Sequence, residues 1–284
     1  METSCKKTMG SLFTGIGGFD LGFERAGWIT AWQVEKHDLH RRLLQERFPH
    51  AAQFSDVREC GNHNLAKIDC ITAGFPCQDI SIAGRRGGGA PVGLAGERSG
   101  LFTEVIRILG ELQPQWVVLE NVPALLFVND CRDLQTVISR LADSGYVGCW
   151  RVLNAQGFGV PQNRRRLFMV AGLGQMPPSE FLADASPVEA VPSAIGSERI
   201  VHAEMAWPAY TLLAINSASR ISLGSEILVA HEDGWRSMVE RERISRDHGI
   251  PKGLDPANLY QRFGAGNAVV PQIAEWIATL LLAA

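Results

Sequence analysis

The segment TMGSLFTGIGGFDLGF, residues 8–23, decides the fold that the sequence predicts. A short apolar run typical of a buried strand is followed by a glycine-rich stretch, residues 13–18, and then by a helical pattern. Glycines at such a junction let the backbone approach a ligand closely, and the amino terminus of the helix faces that ligand. The segment therefore predicts a strand over 8–13, a helix over 18–26 and a nucleotide-type binding loop between them.

Strands and helices alternate along the rest of the N-terminal half. The pattern predicts further strands over 29–35, 69–73, 116–120 and 166–171, and further helices over 37–47, 101–112 and 133–143. A closing helix, begun by proline, is predicted over 271–282. This alternation is typical of βαβ units, so we predict a doubly wound, mostly parallel, Rossmann-like α/β sheet. Functional side chains are then expected in loops after the carboxyl ends of the strands.

Composition narrows the class of protein. The chain has 284 residues, is 46% hydrophobic and can bury a full core. Its apolar runs are shorter than the roughly 20 residues of a membrane span, and no secretory signal is recognisable, so a cytoplasmic protein without a membrane is expected. The six cysteines show no CxxC pair, which favours free thiols and no metal site. Although the net charge is −3, arginines cluster at 85–86 and 164–166, whereas Arg41 and Arg42 are expected on a solvated helix face.

Acidic side chains follow the strands beside the glycine-rich loop. Glu35 ends the predicted second strand, where an acid can accept hydrogen bonds from ribose hydroxyls. Asp56 can meet an adenine amino group, or it can simply cap a turn. The dinucleotide fingerprint has a third glycine where this chain has Asp20, so the sequence favours a ligand without a diphosphate, such as S-adenosylmethionine (AdoMet), over NAD.

Two further strand ends carry groups that suit covalent chemistry. Cys77 lies in GFPCQDIS, residues 74–81, behind Pro76, whose fixed φ can hold the thiol outward. Glu120 ends a buried strand; burial would raise its pKa so that it can donate a proton, although capping of the next loop is the alternative. QNRRR, residues 162–166, places arginines before another strand. Attack by sulfur on C6 of a pyrimidine, with charge relief at N3 and O2, gives a nucleophilic C5 that can take a methyl group.

Six segments together resemble the ordered motifs of the C5-cytosine DNA methyltransferases. They are SLFTGIGGFDLGF, GFPCQDIS, ERSGLFTEVIRIL, ENV, QNRRR and GAGNAVVPQIAEWI, and they run from Ser11 to the C-terminus. The resemblance implies an AdoMet-dependent DNA (cytosine-5-)-methyltransferase whose Rossmann-like sheet carries a small target-recognition region. It implies a catalytic domain over 1–171, target recognition and a hinge over 172–257, and a returning C-terminal motif and helix over 258–284.

The resemblance also implies roles for individual residues. Cys77 would be the nucleophile, and Glu120 would bind and protonate cytosine N3. Arg166 would contact cytosine O2 and the DNA backbone, while Arg164 would support the site. The residues implied to line the AdoMet pocket are Phe13, Gly15, Gly17, Glu35, Asp56, Pro76, Leu101, Asn267, Ala268 and Val269.

The long glycine-rich stretch over 78–100 is implied to close over DNA and to help hold a flipped base. The residues implied to contact DNA are Gln78, Ser81, Arg85, Arg86 and Arg98. Double-stranded DNA is the expected partner, the chain is expected to be a monomer, and a companion restriction endonuclease is a candidate second partner.

The chain departs from the family pattern in two places. Ser11 stands where an aspartate is common, and only 86 residues, 172–257, remain for target recognition. Two alternatives stay open: an RNA cytosine-5 methyltransferase of the same fold, and a catalytically silent DNA-binding homologue. The retained cysteine, ENV and arginines favour an active enzyme, and the recognition sequence is not predicted.

Overall fold

The computed structural model describes residues 6–76, 101–127, 129, 131–160, 162–182, 207–208 and 268–284. Its strands are β1 (Thr8–Leu12), β2 (Ile29–Val34), β3 (Ala52–Phe54), β4 (Cys70–Ala73), β5 (Trp116–Asn121), β6 (Tyr146–Asn154), β7 (Arg165–Leu173) and β8 (Trp207–Pro208). Its α-helices are α1 (Gly18–Arg25), α2 (Asp38–Arg47), α3 (Phe102–Leu112), α4 (Arg132–Asp143) and α5 (Pro271–Leu282).

The described strands form one sheet in the order β3-β2-β1-β4-β5-β7-β6-β8. The first five in this order pair in parallel, whereas β7 runs antiparallel to both β5 and β6, and β8 runs antiparallel to β6. The chain moves outward from β1 to β3 and then returns to β4 on the other side of β1. The topological switch point, where ligands bind in open α/β sheets, is therefore the crevice between the carboxyl ends of β1 and β4.

Apolar side chains at helical spacing attach α3 and α4 to one face of the sheet. In α3 the buried set is Phe102, Val105, Ile108, Leu109 and Leu112. In α4 it includes Leu134, Val137, Ile138 and Leu141. This spacing places the apolar residues along one stripe of each helix, and their burial against the sheet drives the packing.

The opposite face is covered by α1 and α5, which approach each other closely. A Cβ on Gly22 would lie 2.5 Å from both the Cβ of Ala274 and the carbonyl oxygen of Pro271. A Cβ on Gly18 would lie 2.2 Å from the carbonyl oxygen of Val269. The two glycines, four residues apart, thus form the smooth side of α1 on which the C-terminal helix docks.

The predicted α/β class and the mostly parallel doubly wound sheet are confirmed, and every predicted helix and strand is present within two residues of its expected bounds. Three of the described strands were not predicted: the short β3 and β8, and the nine-residue β6. In β6 the fully buried Arg151 interrupts the apolar pattern and donates from Nη1 to the carbonyl oxygen of Phe181 at 2.8 Å. The domain bounds stay a prediction, since most of 172–257 lies outside the described residues. Among the helices of the described ranges, none has the length and apolarity needed to cross a membrane.

Candidate active site

The loop after β1 has a left-handed backbone conformation at three positions. Gly15 and Gly17 have φ angles of 63° and 86°, and Phe13 shares this left-handed region with a φ of 55°. Glycine adopts such angles without strain, whereas an aromatic residue rarely does. A Cβ on Gly17 would also lie 2.8 Å from the ring of Phe48. The loop therefore depends on glycine for both its conformation and its close contact with Phe48, the residue that follows α2.

Glu35 follows β2, and each of its carboxylate oxygens accepts a hydrogen bond from a backbone N–H group. Its Oε2 accepts a hydrogen bond from the backbone N–H of Gly15 at 2.7 Å, and its Oε1 accepts one from His37 N at 2.8 Å. Arg41 of α2 donates from Nη1 to the carbonyl oxygens of Glu35 and Lys36 at 3.0 and 2.8 Å. Arg42 is exposed, as expected, whereas Arg41 is only partly exposed because its guanidinium binds the loop that carries Glu35.

Asp56 follows β3 and serves in part as a cap. Its Oδ1 accepts a hydrogen bond from Arg58 N at 3.0 Å and so begins a 3₁₀ turn, Val57–Glu59. Among the described residues, none donates a hydrogen bond to its Oδ2. Leu101, at the start of α3, packs partly buried against the same apolar cluster as Phe13.

Asp20 lies beneath the glycine loop, where its carboxylate fills the space between α1 and the sheet. It is fully buried, and its Oδ1 accepts hydrogen bonds from Ser11 Oγ and Gln33 Nε2, each at 2.8 Å. The Ser11 hydroxyl also contacts Thr14 Oγ1 of the loop at 2.8 Å. Burial raises the pKa of Asp20 from its ordinary 3.8 to about 6, although the donors from Gln33 and Ser11 partly oppose the rise.

The ends of β4 and β5 bring the GFPC segment beside the ENV motif. These strands pair in parallel, with Ala73 opposite Leu119, so the residues that follow each strand are neighbours. Asn121 Nδ2 donates to the carbonyl oxygen of Phe75 at 3.3 Å, and a Cβ on Gly74 would lie 3.7 Å from Glu120 Oε2. The backbone that leads through Pro76 to position 77 is thus fixed against the strand end that carries Glu120.

Glu120 is a buried carboxyl group with arginines on one side. Its residue is 8% exposed, and burial raises its pKa above the ordinary value, against the opposing charges of Arg164 and Arg166. Arg166 Nε lies 3.1 Å from Glu120 Oε1. Because burial outweighs the two cations, Glu120 retains a proton at higher pH than an exposed glutamate and can act as an acid.

Arg164 connects this carboxyl group to the C-terminal segment. It is 8% exposed, and its Nη2 donates to the carbonyl oxygen of Ala268 at 2.7 Å. The next residue, Val269, packs its backbone on Gly18 at the start of α1. The segment before α5 therefore contacts both the arginine beside Glu120 and the helix that follows the glycine loop.

The structure brings together the described members of the predicted site at the carboxyl edge of the sheet. Seven predicted site residues lie outside the described residues: Cys77, Gln78, Ser81, Arg85, Arg86, Arg98 and Asn267. Sequence reasoning missed Asn154, whose Oδ1 accepts from Arg164 N at 3.1 Å, and it gave Asn121 no role of its own. Both amides lie at the ends of strands, which is the one signal that would have indicated them.

The sheet order, the glycine loop after β1 and the buried carboxyl group after β5 define a Rossmann-like α/β enzyme. The family description for C-5 cytosine-specific DNA methylases matches residues 7–204. The chain therefore belongs to the C-5 cytosine-specific DNA methylase family, and its enzyme class is DNA (cytosine-5-)-methyltransferase.

Curated relatives agree with this assignment. The chain is 31% identical over 307 residues to the type II methyltransferase M.NlaX of Neisseria lactamica, covering 96% of this chain and 95% of that protein. It is 28% identical over 299 residues to the type II methyltransferase M2.BsuMI of Bacillus subtilis (strain 168), covering 94% of this chain and 73% of the relative. To M.NlaIV of Neisseria lactamica it is 32% identical over 190 residues, which cover 62% of this chain and only 44% of that relative.

Proposed function

We propose that the chain transfers a methyl group from AdoMet to C5 of a cytosine flipped out of a specific sequence in double-stranded DNA, through a covalent bond between Cys77 and C6. The observation that carries the proposal is the buried Glu120 with its raised pKa, beside the backbone that leads to Cys77. A protonated carboxyl group in this position can supply the proton that nucleophilic addition to cytosine requires.

The proposed reaction proceeds by addition to C6, methyl transfer to C5 and elimination. The Cys77 thiolate attacks C6, and the displaced electron pair reaches N3, which takes the proton of Glu120. The pair then returns through C5 to form the new carbon–carbon bond with the methyl group. Loss of the C5 proton to water and cleavage of the C6–sulfur bond restore the thiolate, and N3 returns its proton to Glu120. AdoMet, when bound, supplies the methyl group on a positively charged sulfur that leaves as a neutral thioether.

The arginines have separate tasks in this proposal. Arg166, whose Nε lies 3.1 Å from Glu120 Oε1, is close enough to the carboxyl group to contact O2 of a base bound to it. Arg164 supports the site by holding the carbonyl oxygen of Ala268. Because cationic groups remain near Glu120 after it gives up its proton, they stabilise the carboxylate that forms.

The cofactor loops suit a nucleoside without phosphates. Glu35 presents a carboxylate to ribose hydroxyls, and Asp56 has an oxygen left for the adenine amino group. The loop Phe13–Gly17, Pro76 and Leu101 would line the rest of the pocket, which Asn267, Ala268 and Val269 would complete. Two acids suit hydroxyls, an amine and a sulfonium, whereas they would repel a diphosphate.

The remaining parts of the proposal concern DNA. Residues Gln78, Ser81, Arg85, Arg86 and Arg98 are proposed to contact the duplex and the flipped base, at a cost of a few kcal/mol for unstacking. Recognition of the target sequence is proposed for 172–257. Action as a monomer, alongside a companion endonuclease, stays a prediction.

A DNA duplex with 5-fluorocytosine at the target tests the chemistry. Fluorine cannot leave C5 as a cation, so the reaction should stop after methyl transfer with the protein joined to DNA through Cys77. The complex should survive detergent, require AdoMet, carry the methyl group by mass spectrometry and be absent in Cys77→Ala. Methylation of RNA alone would favour the RNA enzyme. Binding of target DNA without methylation or adduct would indicate a silent homologue.

A further inference from the structure

Arg107 lies on α3, and all three nitrogen atoms of its guanidinium group donate hydrogen bonds. Its Nε donates to Glu104 Oε2 and its Nη1 to Glu111 Oε1, each at 2.8 Å. Its Nη2 donates to two backbone carbonyl oxygens outside α3, of Val57 at 3.1 Å and of Cys60 at 2.8 Å. Two acids on its own helix thus aim the fork of donors at another segment of the chain.

The segment that Arg107 holds is the one that directly follows Asp56. The carboxylate of Asp56 begins the 3₁₀ turn Val57–Glu59 by accepting from Arg58 N, and Cys60 N closes it on the carbonyl oxygen of Val57 at 3.2 Å. Arg107 therefore binds the first residue of this turn and the residue just after it. The orientation of Asp56 follows from the turn that its own side chain caps.

The same helix holds the next residues as well. Glu111, which Arg107 orients, accepts from the backbone N–H of Asn62 through its second oxygen at 2.9 Å. Val57 and Cys60 are buried at 4% and 1% exposure, so their carbonyl groups cannot turn to solvent without moving the segment. Loss of Arg107 would remove the side-chain donor from both carbonyl groups, leaving that of Val57 only the backbone N–H of Cys60. It would also place the two α3 carboxylates near each other without a cation.

We propose that Arg107 is a positioning residue for AdoMet: by fixing the turn after β3 to α3, it sets the Asp56 carboxylate at the adenine end of the pocket. The proposal rests on the proposed AdoMet site. Arg107 itself touches neither cofactor nor base. It binds the turn after Asp56 to α3, the helix that begins beside Leu101. Arg107 therefore holds together two segments that are predicted to line the pocket.

The first test is the split between binding and turnover. Arg107→Gln should raise the dissociation constant and the KM for AdoMet about three- to tenfold, the range expected from lost hydrogen bonds. Turnover at saturating AdoMet should stay within about twofold, since the proposed reacting groups, Cys77 and Glu120, are untouched. Arg107→Lys, which keeps the charge but not the fork, should recover part of the affinity. The exposed Arg140 of α4 supplies the matched control, Arg140→Gln, which should change neither constant.

A double-mutant cycle with Asp56→Asn then tests whether Arg107 affects AdoMet binding through Asp56. Asparagine caps the turn as aspartate does but lacks the charge for the adenine amine. If Arg107 acts through Asp56, adding Arg107→Gln to Asp56→Asn should weaken AdoMet binding little further. Additive losses, or a fall in turnover with unchanged affinity, would overturn the proposal.

The outcome also separates this proposal from the proposed function. If Asp56→Asn binds AdoMet as tightly as the wild type, the positioning role fails. A loss of AdoMet affinity in Glu35→Ala would then support the proposed AdoMet site even though the positioning role of Arg107 has failed. If neither acid affects AdoMet affinity, the assignment of the pocket itself is wrong. Should Arg107→Gln fail to fold, Arg107→Lys carries the same cycle.

Discussion

Replacement of Asp20 by asparagine should make the protein progressively more stable relative to the wild type as the pH rises. In the folded protein the pKa of Asp20 is about 6, against an ordinary value of 3.8, because burial disfavours the charge. Below the lower value the carboxyl group is protonated in both states and costs nothing. As pH rises toward 6, only the unfolded chain releases the proton, so the free energy of unfolding falls. Above pH 6 the loss is constant at about 3 kcal/mol.

Asparagine tests this cost because it can keep the existing contacts. The Oδ1 atom of Asp20 accepts from both Ser11 and Gln33, and an amide oxygen can accept the same two hydrogen bonds. The amide nitrogen takes the place of Oδ2, which has no hydrogen-bond partner among the described residues. Any cost of burying that nitrogen is independent of pH. The pH dependence is therefore the informative quantity: the advantage of Asp20→Asn over the wild type should grow by about 1.4 kcal/mol between pH 5 and pH 8.

Urea unfolding followed by the fluorescence of the seven tryptophans measures this difference at each pH. Ser11→Ala should change the pH dependence of the stability in the opposite direction. It removes a donor that lowers the pKa of Asp20, so its stability should fall more steeply with pH than that of the wild type. Parallel pH profiles for wild type and Asp20→Asn would refute the reasoning, since they would mean that Asp20 loses its proton equally easily in the folded and unfolded chain.

Three other variants test the site and the fold. Glu120→Gln should lower turnover about 10²-fold or more while AdoMet affinity stays unchanged, measured by methyl transfer and calorimetry; near-normal turnover would remove Glu120 as the proton donor. Glu35→Ala should weaken AdoMet binding about tenfold or more, through loss of a charge-assisted contact, and an unchanged dissociation constant would contradict its role. Gly22→Ala should destabilise the fold by about 1–3 kcal/mol in urea unfolding, because its Cβ would meet Ala274. The control Gly110→Ala in α3, which meets nothing within 4 Å, should be neutral or stabilising.

The parallel half of the sheet could be predicted because each strand there is a short apolar run with a turn signal behind it. β5 is the clearest example, since WVVLEN is buried at every position and carries Glu120 next to its last residue. β6 was not predicted because a buried strand does not ordinarily contain arginine, and Arg151 is accommodated there by a hydrogen bond to the carbonyl group of Phe181. A partner 30 residues away leaves no local signal in the sequence.

The positions of the acids after the strands could be predicted from the sequence, but the groups that hold these acids in place could not. Glu35 and Asp56 follow strands and could be found by position, whereas Arg41 and Arg107 resemble ordinary surface arginines of helices. Their role comes from the carbonyl groups opposite them, and in Arg107 these belong to residues 47 and 50 positions away. A sequence pattern reports which residue types recur, but it does not report which backbone atoms a long side chain reaches.

The C-terminal segment is part of the site framework and not an appendage to the fold. Arg164, which lowers the pKa of Glu120 by its charge, donates to Ala268, a residue 104 positions away. The neighbouring Val269 meets α1 at Gly18, directly after the glycine loop. A shift of this segment would therefore act on the cofactor loop and on the acidity of Glu120 together. Because one short stretch contacts both, the docking of α5 affects Glu120 and the proposed AdoMet pocket together, and the glycines at two positions of α1 let that stretch and helix approach closely.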